Sequence, residues 1–299
     1  MIPAVETTGL SRRYGQTWAL RECCLRVPAG RVVALVGPNG AGKTTLMQLV
    51  MGLLEPSAGE VKVFGWSPRQ SPTLVLARVG FVAQDRPLYG GFTVRQMLGF
   101  GLRLNPRWDD GFARSRIDLF EIPADRKVSK LSGGQQAQVA LTMALAKRPE
   151  LLLLDEPVSN LDPLARRDFT RALLDAAAQD GLTVVFSSHV VAELERFCDY
   201  LVVLNGGRVQ VAGELDALIE EHRIHTMETT TASSLAGDPS VIDVSPGPRV
   251  STVVARKSLA LGVGDPEARL PGLEELVLAY MNSRGASNLP LPVLRGASL

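Results

Sequence analysis

The stretch Gly37-Pro38-Asn39-Gly40-Ala41-Gly42-Lys43-Thr44-Thr45 decides the fold when it is read together with its flanks. It follows an apolar run over residues 31–36 and opens a helix-patterned segment over residues 46–54. Strand, glycine-rich loop and helix in this order match the phosphate-binding pattern G-x-x-x-x-G-K-[ST] in its required setting. Glycines let backbone N–H groups point at phosphate oxygens, and the helix adds the positive end of its dipole. The alternative is a glycine-rich turn that caps an ordinary helix.

Two side chains of this loop carry chemistry of their own. Lys43 supplies a point charge for the β- and γ-phosphates of a nucleotide, and Thr44 supplies a hydroxyl for Mg²⁺. The sequence therefore predicts that ATP and Mg²⁺ bind at this loop.

Composition limits the classes of protein that the chain can belong to. Its 299 residues are 45% apolar, enough for the buried core of one large domain or two ordinary ones. The formal charge of +1 gives no argument for a nucleic-acid partner or an anionic membrane surface. Cys23, Cys24 and Cys198 are too few and badly spaced for a disulfide framework, which favours a reducing compartment. We find neither a signal sequence nor a membrane-spanning run, so we expect any work at a membrane to proceed through a partner.

The first half of the chain predicts strands followed by a helical insert. Residues 5–27 have the interrupted apolar pattern of antiparallel strands, and residues 59–65 alternate like a half-buried strand. Another strand is predicted over residues 79–83. Between about residues 86 and 148 the strand pattern fades, and we predict helices over residues 94–104, 112–120 and 135–147.

The second half predicts parallel strands. The apolar runs 151–154 and 182–186 are separated by a helix-patterned stretch over residues 163–179, which indicates parallel strands covered on both faces. Two final strands are predicted over residues 200–204 and 208–211. Since ligands bind beyond the carboxyl ends of such strands, we expect the glycine loop, Asp155-Glu156 and Ser188-His189 to converge on one edge.

Beyond about Gly213 the composition of the sequence and its pattern of apolar residues change. Helices are predicted over residues 215–221 and 273–281 and a strand over residues 249–255, whereas residues 227–251 are rich in Thr, Ser, Gly and Pro. The fold class is thus α/β: a P-loop NTPase core of mainly parallel sheet with an antiparallel β subdomain, an inserted α-helical subdomain and a small C-terminal α+β extension. The predicted divisions are an ATP-binding domain over 1–213 with its helical subdomain at about 86–148, an accessory region over 214–284 and a flexible tail over 285–299.

The pair Asp155-Glu156 directly follows four leucines. Desolvating ionised carboxylates costs several kcal/mol each unless a cation compensates them, and Mg²⁺ with ATP would provide that compensation. In this interpretation Asp155 holds the metal, directly or through water, and Glu156 polarises the attacking water. The alternative is a helix N-cap with a surface ion pair.

A second glycine-containing segment, Leu131-Ser132-Gly133-Gly134-Gln135, opens another helix-patterned stretch. Ser132 stands at a plausible N-cap, and the glycines expose N–H groups, so the segment is either a second anion cradle or a bare cap. With this L-S-G-G-Q segment between the phosphate loop and an apolar-Asp-Glu run, the chain resembles the ATP-binding subunit of an ABC transporter. The resemblance covers residues 10–213.

The resemblance implies roles for four further positions. Tyr14 would stack on adenine, and Gln84 would contact Mg²⁺ and the attacking water in a loop that senses the transport partner. Asp162, in Ser159-Asn160-Leu161-Asp162, would lie in a loop that crosses between paired subunits, and His189 would contact the γ-phosphate. Each residue also has an alternative without a nucleotide. These alternatives are an aromatic at the edge of the core for Tyr14, a solvated polar residue for Gln84, a helix cap before Pro163 for Asp162 and a strand-end histidine for His189.

Two features depart from the commonest family pattern. Ala137 and Gln138 replace a more basic pair after the signature, and Ala83 stands where a proline often precedes the glutamine. Neither removes a group assigned to chemistry, so both bear on the strength of the interface between subunits.

The resemblance also implies an assembly. Two subunits would pair head to tail, with each ATP between the Lys43 loop of one and the signature segment (residues 131–135) of the other, and hydrolysis would separate them. Transmembrane permease subunits would dock near Gln84 and the helical insert, which places the protein in the cytoplasm on the inner face of the membrane.

Three segments narrow the resemblance further. Residues 88–94, 187–189 and 273–276 resemble bacterial exporters of the ABC-2 type, some of them linked to antibiotic or lipid efflux. For the C-terminal region the sequence leaves three roles open: binding of a partner, pairing of two ATPases and regulation of the cycle.

Two other classes of protein share parts of this motif set. One is a soluble ATP-driven clamp on nucleic acid or the ribosome, but such proteins usually carry coiled coils, two cores or basic patches, and none appears here. We therefore expect no nucleic-acid partner. The other is a small-molecule kinase, which leaves residues 131–135 and His189 unexplained.

Overall fold

The computed structural model describes residues 2–159, 161–188, 191, 194, 197–235, 237–257 and 268–283. The strands are β1 Val5–Tyr14, β2 Thr17–Val27, β3 Val32–Val36, β4 Ala58–Val63, β5 Val79–Val82, β6 Leu151–Leu154, β7 Thr183–Ser188, β8 Tyr200–Asn205, β9 Arg208–Glu214, β10 His222–Glu228, β11 Val241–Ser245 and β12 Val250–Arg256. The helices are α1 Lys43–Val50, α2 Pro72–Arg78, α3 Val94–Leu104, α4 Asp110–Leu119, α5 Gly133–Leu145, α6 Pro163–Asp180, α7 Leu215–Glu221, α8 Thr229–Ser234 and α9 Leu273–Asn282.

A mainly parallel sheet forms the centre of the molecule, in the strand order β5-β6-β7-β3-β8-β9. Its pairs are parallel except β8 with β9, which is an antiparallel hairpin. The leucines of β6 alternate between two apolar cores: Leu152 and Leu154 join one, and Leu151 and Leu153 join the other. This two-sided burial explains why the strand is a continuous apolar run, as the sequence predicts.

A smaller antiparallel sheet has the order β2-β1-β4 and confirms the predicted antiparallel subdomain. Its buried residues Leu10 and Leu20 share a core with Leu46 and Met47 of α1. The antiparallel sheet therefore packs against the helix that follows the phosphate loop.

The helical insert is confirmed and has an apolar core of its own. Helices α3, α4 and α5 lie within one or two residues of the predicted starts, and α3 matches the prediction at both ends. Apolar residues of the three helices, among them Leu98, Ile117 and Val139, pack into this core.

The helix after the phosphate loop is shorter than predicted. The sequence pattern extends it to residue 54, but α1 ends at Val50. Gly52 adopts a φ of 73°, and the Leu53 N–H donates to the Gln48 carbonyl, so the chain closes the helix with a left-handed turn. Helix α2 has no counterpart in the predictions.

The C-terminal region holds more regular structure than its composition indicates. Strands β10 and β11 flank β12 in an antiparallel sheet, and α8 lies in the Thr- and Ser-rich stretch. The sequence predicts β12, as residues 249–255, but it misses β10, β11 and α8, because polar side chains hide the period of a half-exposed sheet. Helix α9 buries Leu276, Val277 and Tyr280 in the same core that contains Ala34 of β3.

The tail predicted over residues 285–299 lies outside the described residues. Within the described ranges, none of the helices combines the length and the apolar content that a membrane crossing requires.

Candidate active site

The predicted convergence of polar groups at one sheet edge is confirmed for the glycine loop, Asp155-Glu156 and Ser188. Strands β6, β7 and β3 are neighbours, and the segments that follow them meet at their carboxyl ends. The register pairs Val36 with Ser188, which brings the end of β7 next to the start of the phosphate loop. His189, which the sequence places here, lies outside the described residues.

The phosphate loop, residues 37–45, is held by close backbone contacts. A Cβ on Gly37 would lie 2.2 Å from the Leu204 carbonyl oxygen, and one on Gly42 would lie 2.5 Å from the Ala19 carbonyl oxygen. Gly42 also has a φ of 105° and is the N-cap of α1 without any side-chain cap. Both positions therefore require glycine, and the first N–H groups of α1 are left without a capping side chain.

The remaining loop residues surround this cradle. Gly40 has a φ of 80° and faces open space, and Pro38, Asn39 and Gly40 are exposed. Ala41 is buried, Thr44 is exposed at the start of α1 and Thr45 is half-buried. The Thr44 hydroxyl thus stands at the helix end that favours anions.

Lys43 is only 6% exposed, although it carries a charge. Its ammonium donates to the carbonyl oxygens of Gly37 at 2.8 Å and Pro38 at 3.2 Å, and it lies 3.6 Å from Glu156 Oε1. These partners keep the ammonium inside the loop. They compensate the desolvation that burial imposes on it.

The two carboxylates after β6 are positioned by a hydroxyl of β7. Asp155 is 1% exposed and accepts from Ser187 Oγ at 2.9 Å, and the Glu156 N–H donates to the same oxygen at 2.8 Å. Glu156 adopts a φ of 44°, in the left-handed region that favours glycine. Ser187 thus holds the backbone of a strained turn, from which the Glu156 side chain reaches to 3.6 Å from the Lys43 ammonium.

Sequence reasoning missed the role of Ser187 at the site, because it considered this residue only as part of the segment 187–189. Its hydroxyl at the end of a buried strand is a signal that could have indicated it. The helix-cap alternative for Asp155 is wrong, since no helix begins there and the carboxylate is bonded to Ser187.

Gln84 is exposed in the turn after β5, and Val82 of that strand accepts from the Asp155 N–H at 2.9 Å. The residue therefore stands at the same sheet edge as the carboxylates. Two residues further on, Arg86 donates to the Gly133 carbonyl at 3.2 Å. This hydrogen bond connects the turn that contains Gln84 to the signature segment. Partial burial of the Arg86 guanidinium lowers its pKa.

Tyr14 ends β1 and is 45% exposed, so it is not buried in a core. The Arg12 guanidinium lies 4.8 Å from its ring centroid, and Arg12 also donates to the Glu55 carbonyl. One face of the ring is thus covered by a cation, in an arrangement that stabilises an exposed aromatic side chain.

The signature segment caps its own helix. The Gln135 N–H donates to Ser132 Oγ, and Gln135 Oε1 accepts from the Ser132 N–H, which is a complete capping box on α5. Ser132 and Gly133 are exposed, and Gly134 is half-buried. Throughout the described ranges, no hydrogen bond or ion pair joins residues 132–135 to residues 37–45.

Asp162 is the N-cap of α6, as the alternative interpretation predicts. Its Oδ1 accepts from the N–H groups of Leu164 at 3.1 Å and Ala165 at 2.9 Å. Ala165 lies against the signature segment, since a Cβ on Gly134 would be 2.9 Å from its methyl group. The Asp162 turn and the signature segment therefore lie side by side.

Comparison with known proteins decides the family. A family model described as ABC transporter matches residues 20–159. The Nod factor export ATP-binding protein I of Rhizobium johnstonii is 33% identical over 287 residues, which span 94% of this chain and 89% of that protein. The chain belongs to the ABC transporter family. It is an ATP-binding subunit of that family, and such subunits are the ATPases of the transporters.

Importers are also similar to this ABC transporter subunit. The Fe(3+) ions import ATP-binding protein FbpC 2 of Rhodococcus jostii is 37% identical over 222 residues, but these span only 71% of the chain and 63% of that protein.

Solved structures of ABC cassettes share the fold of this subunit. The cassette MJ0796, solved as a dimer and also with ADP and Pi, has a TM-score of 0.62 at 27% identity, over 71% of this chain and 98% of that one. CbiO1 from Clostridium perfringens, part of the complex cbiONQ, has a TM-score of 0.63 at 26% identity, over 80% of this chain and 96% of that one. The predicted fold class and the predicted ATP-binding function are thereby confirmed.

Proposed function

We propose that two copies of the chain, or the chain and a paired ATPase, close around ATP and that its hydrolysis powers transport through separate membrane subunits. One observation carries the proposal: buried Lys43 lies 3.6 Å from Glu156 at the edge where the uncapped helix α1 begins. A cation for phosphate oxygens, a carboxylate for water and open N–H donors are thus combined in one place.

In this mechanism the phosphate loop (residues 37–45) binds the triphosphate through its backbone N–H groups. Lys43 exchanges its two carbonyl partners for the β- and γ-phosphates, where hydrogen bonds to charged groups contribute about 1.5–3 kcal/mol each. Glu156 polarises the attacking water, with Gln84 and His189 contacting the water and the γ-phosphate. The uncovered face of the Tyr14 ring stacks on adenine.

The second copy completes the site. Its Ser132, Gly133, Gly134 and Gln135 contribute donors to the γ-phosphate, and its Asp162 lies at the crossing between subunits. Support comes from the exposure of Ser132 and Gly133, and from the finding that no hydrogen bond or ion pair joins the described residues 132–135 to residues 37–45. Loss of phosphate removes the shared charge, so the two copies separate.

We propose Mg²⁺ as the metal of this site, held by Asp155, Thr44 and Gln84. All three supply oxygen ligands, which suit Mg²⁺, and the buried Asp155 carboxylate accepts a hydrogen bond from the neutral Ser187 hydroxyl. The described part of the chain offers no group of three or more His, Cys, Asp or Glu that could hold a metal ion by itself. The ion would therefore arrive with the nucleotide and would offset phosphate charge.

We propose export as the direction of transport. The similarity to the Nod factor exporter continues through the C-terminal region, whereas the similarity to the iron importer covers only 71% of the chain. Residues 1–213, with the helical subdomain at about 86–148, would form the ATP-binding domain, residues 214–284 an accessory region and residues 285–299 a tail. Permease subunits that dock near Gln84 would hold the protein at the cytoplasmic face of the membrane.

Two experiments test the proposal. Light scattering of the purified chain with Mg²⁺ and saturating ATP should show a dimer that ADP does not support, and phosphate release should accompany it. Pull-down from detergent extracts should recover membrane-spanning subunits, with which transport out of cells or into inverted vesicles should depend on ATP. Recovery of nucleic acid or ribosomes instead would favour a soluble clamp, which the transport relatives do not support.

A further inference from the structure

A tight turn lies directly behind the phosphate loop. Asn205 pairs with Arg208 across the β8–β9 hairpin, and Gly206 and Gly207 between them have φ of 56° and 73°. These values are typical of a two-residue type I′ turn. The turn is preceded by Leu204, whose carbonyl oxygen is the atom that leaves no room for a Cβ on Gly37.

The other side of the same turn supports the opposite end of the loop. The Gly207 carbonyl accepts from the Arg21 N–H at 2.7 Å, and a Cβ on Gly207 would lie 2.9 Å from the Ala19 carbonyl oxygen. That Ala19 oxygen is the atom packed against Gly42. Through Leu204 on one side and Ala19 on the other, the β8–β9 turn therefore lies next to both glycines that fix the loop.

The turn is tied to the C-terminal helix by one side chain. Asn205 Nδ2 donates to the Met281 carbonyl at 2.6 Å. Met281 belongs to the last turn of α9, where carbonyls have no partner within the helix. Asn205 thus caps α9, while its own carbonyl accepts from Gln210 Nε2 at 3.1 Å.

Helix α9 is itself firmly placed. Leu276 and Tyr280 are at most 1% exposed within the main core, and the Tyr280 hydroxyl lies 2.9 Å from His222 Nε2. At the other end of the helix, Arg269 donates to Glu275 at 2.8 Å. A helix held in this way can position the turn that it contacts.

We propose that Asn205 is a positioning residue through which the C-terminal helix sets the geometry of the phosphate loop and hence the affinity for nucleotide. The inference rests on the proposed function, because it assigns to the C-terminal region a part in the same nucleotide site. By reciprocity, bound nucleotide must stabilise the contact between Asn205 and α9 by the same free energy.

The test is Asn205→Ala in the full-length chain, with the affinity for a fluorescent ADP analogue and amide hydrogen exchange as measurements. We expect the dissociation constant to rise about 3- to 10-fold, the size of one lost hydrogen bond. Exchange should become faster in residues 37–45. Asn205→Asp, which keeps the size of the side chain but loses the donor, should do the same.

Arg269→Ala is the matched control, because it removes a contact at the far end of the same helix. It should leave the nucleotide affinity within about 2-fold of wild type and exchange in residues 37–45 unchanged. An equal rise of the dissociation constant in both variants would indicate a general loss of stability. An unchanged dissociation constant in Asn205→Ala would show that the turn keeps its geometry without the hydrogen bond to α9. Either result overturns the inference. A wild-type chain that binds no nucleotide would contradict the proposed function instead.

Discussion

The phosphate loop and the signature segment are both glycine-containing turns at the start of a helix, but they are built in opposite ways. Helix α1 begins at Gly42 without a capping side chain, and the loop before it is fixed by backbone contacts with β2 and β8. Helix α5 begins at Ser132 with a complete capping box, and its first residues are exposed. One turn is held open by the rest of the fold, and the other satisfies its own hydrogen bonds.

This difference indicates how each turn meets a phosphate. The first N–H groups of α1 donate to no cap side chain, because the N-cap residue is Gly42. They are therefore already arranged for a phosphate before it binds. At α5 a phosphate must compete with Ser132 Oγ for the Gln135 N–H. We infer that the phosphate loop binds nucleotide in a single chain, whereas the signature segment contributes only when a second chain brings it to an already bound nucleotide.

The largest expected effect separates chemistry from binding on the phosphate-loop side. Glu156→Gln keeps the size of the side chain but removes the carboxylate that we propose polarises the attacking water. We expect ATP hydrolysis to slow at least about 100-fold, with ATP still bound and the dimer accumulating. Phosphate release and light scattering measure the two effects, and turnover close to wild type would refute the role of Glu156.

Lys43→Ala removes the ammonium from the preformed site. The dissociation constant of the single chain for ATP should rise roughly 10- to 100-fold, since hydrogen bonds to charged phosphate are lost. Calorimetry on the monomeric protein measures it. An unchanged dissociation constant would show that the phosphate loop is not the nucleotide-binding site and that it does not differ from the signature segment in this respect.

Substitutions of glycine test whether the phosphate loop is held more rigidly than the signature segment. Gly37→Ala would bring a methyl group to 2.2 Å from a backbone oxygen, whereas Gly134→Ala would bring one to 2.9 Å from the Ala165 methyl group. We expect Gly37→Ala to lower the free energy of unfolding by about 1–3 kcal/mol and to weaken ATP binding, and Gly134→Ala to do less.

Denaturant unfolding with and without nucleotide measures the two glycine variants. Adding Ala165→Gly should restore Gly134→Ala, because it removes the contacting methyl group. Equal costs at the two glycines would mean that both turns are held alike.

The smallest effect concerns the capping box. Ser132→Ala should cost about 1 kcal/mol of stability, leave the affinity of the single chain for ATP unchanged and weaken ATP-driven dimerisation. Thr93→Ala is the matched control, because Thr93 caps α3 with the same capping box in the same subdomain. It should cost as much stability without affecting the dimer. If both variants dimerise alike, the signature hydroxyl has no part in the interface.

The sequence predicts the phosphate loop well because its constraints act on single residues: a close backbone contact or a positive φ selects glycine directly. The bond between Ser187 and Asp155 escapes prediction, since it depends on which strands are neighbours and in what register. Strands β10 and β11 of the C-terminal sheet escape prediction for another reason, because polar residues interrupt their apolar pattern, whereas β12 is predicted as residues 249–255. The cap role of Asp162 follows from local sequence alone, whereas the contact of Ala165, in the first turn of the same helix, with Gly134 requires the packing of α5 on α6.

Helix α9 packs on β8 and β9 and supplies Leu273, Leu276 and Tyr280 to the core of the parallel sheet. During translation, therefore, the contacts of α9 with β8 and β9 cannot form until residues 273–282 have left the ribosome. Some apolar surface of the parallel sheet therefore stays exposed in the nascent chain after all of its strands have been made, and such surface makes a folding intermediate prone to aggregation.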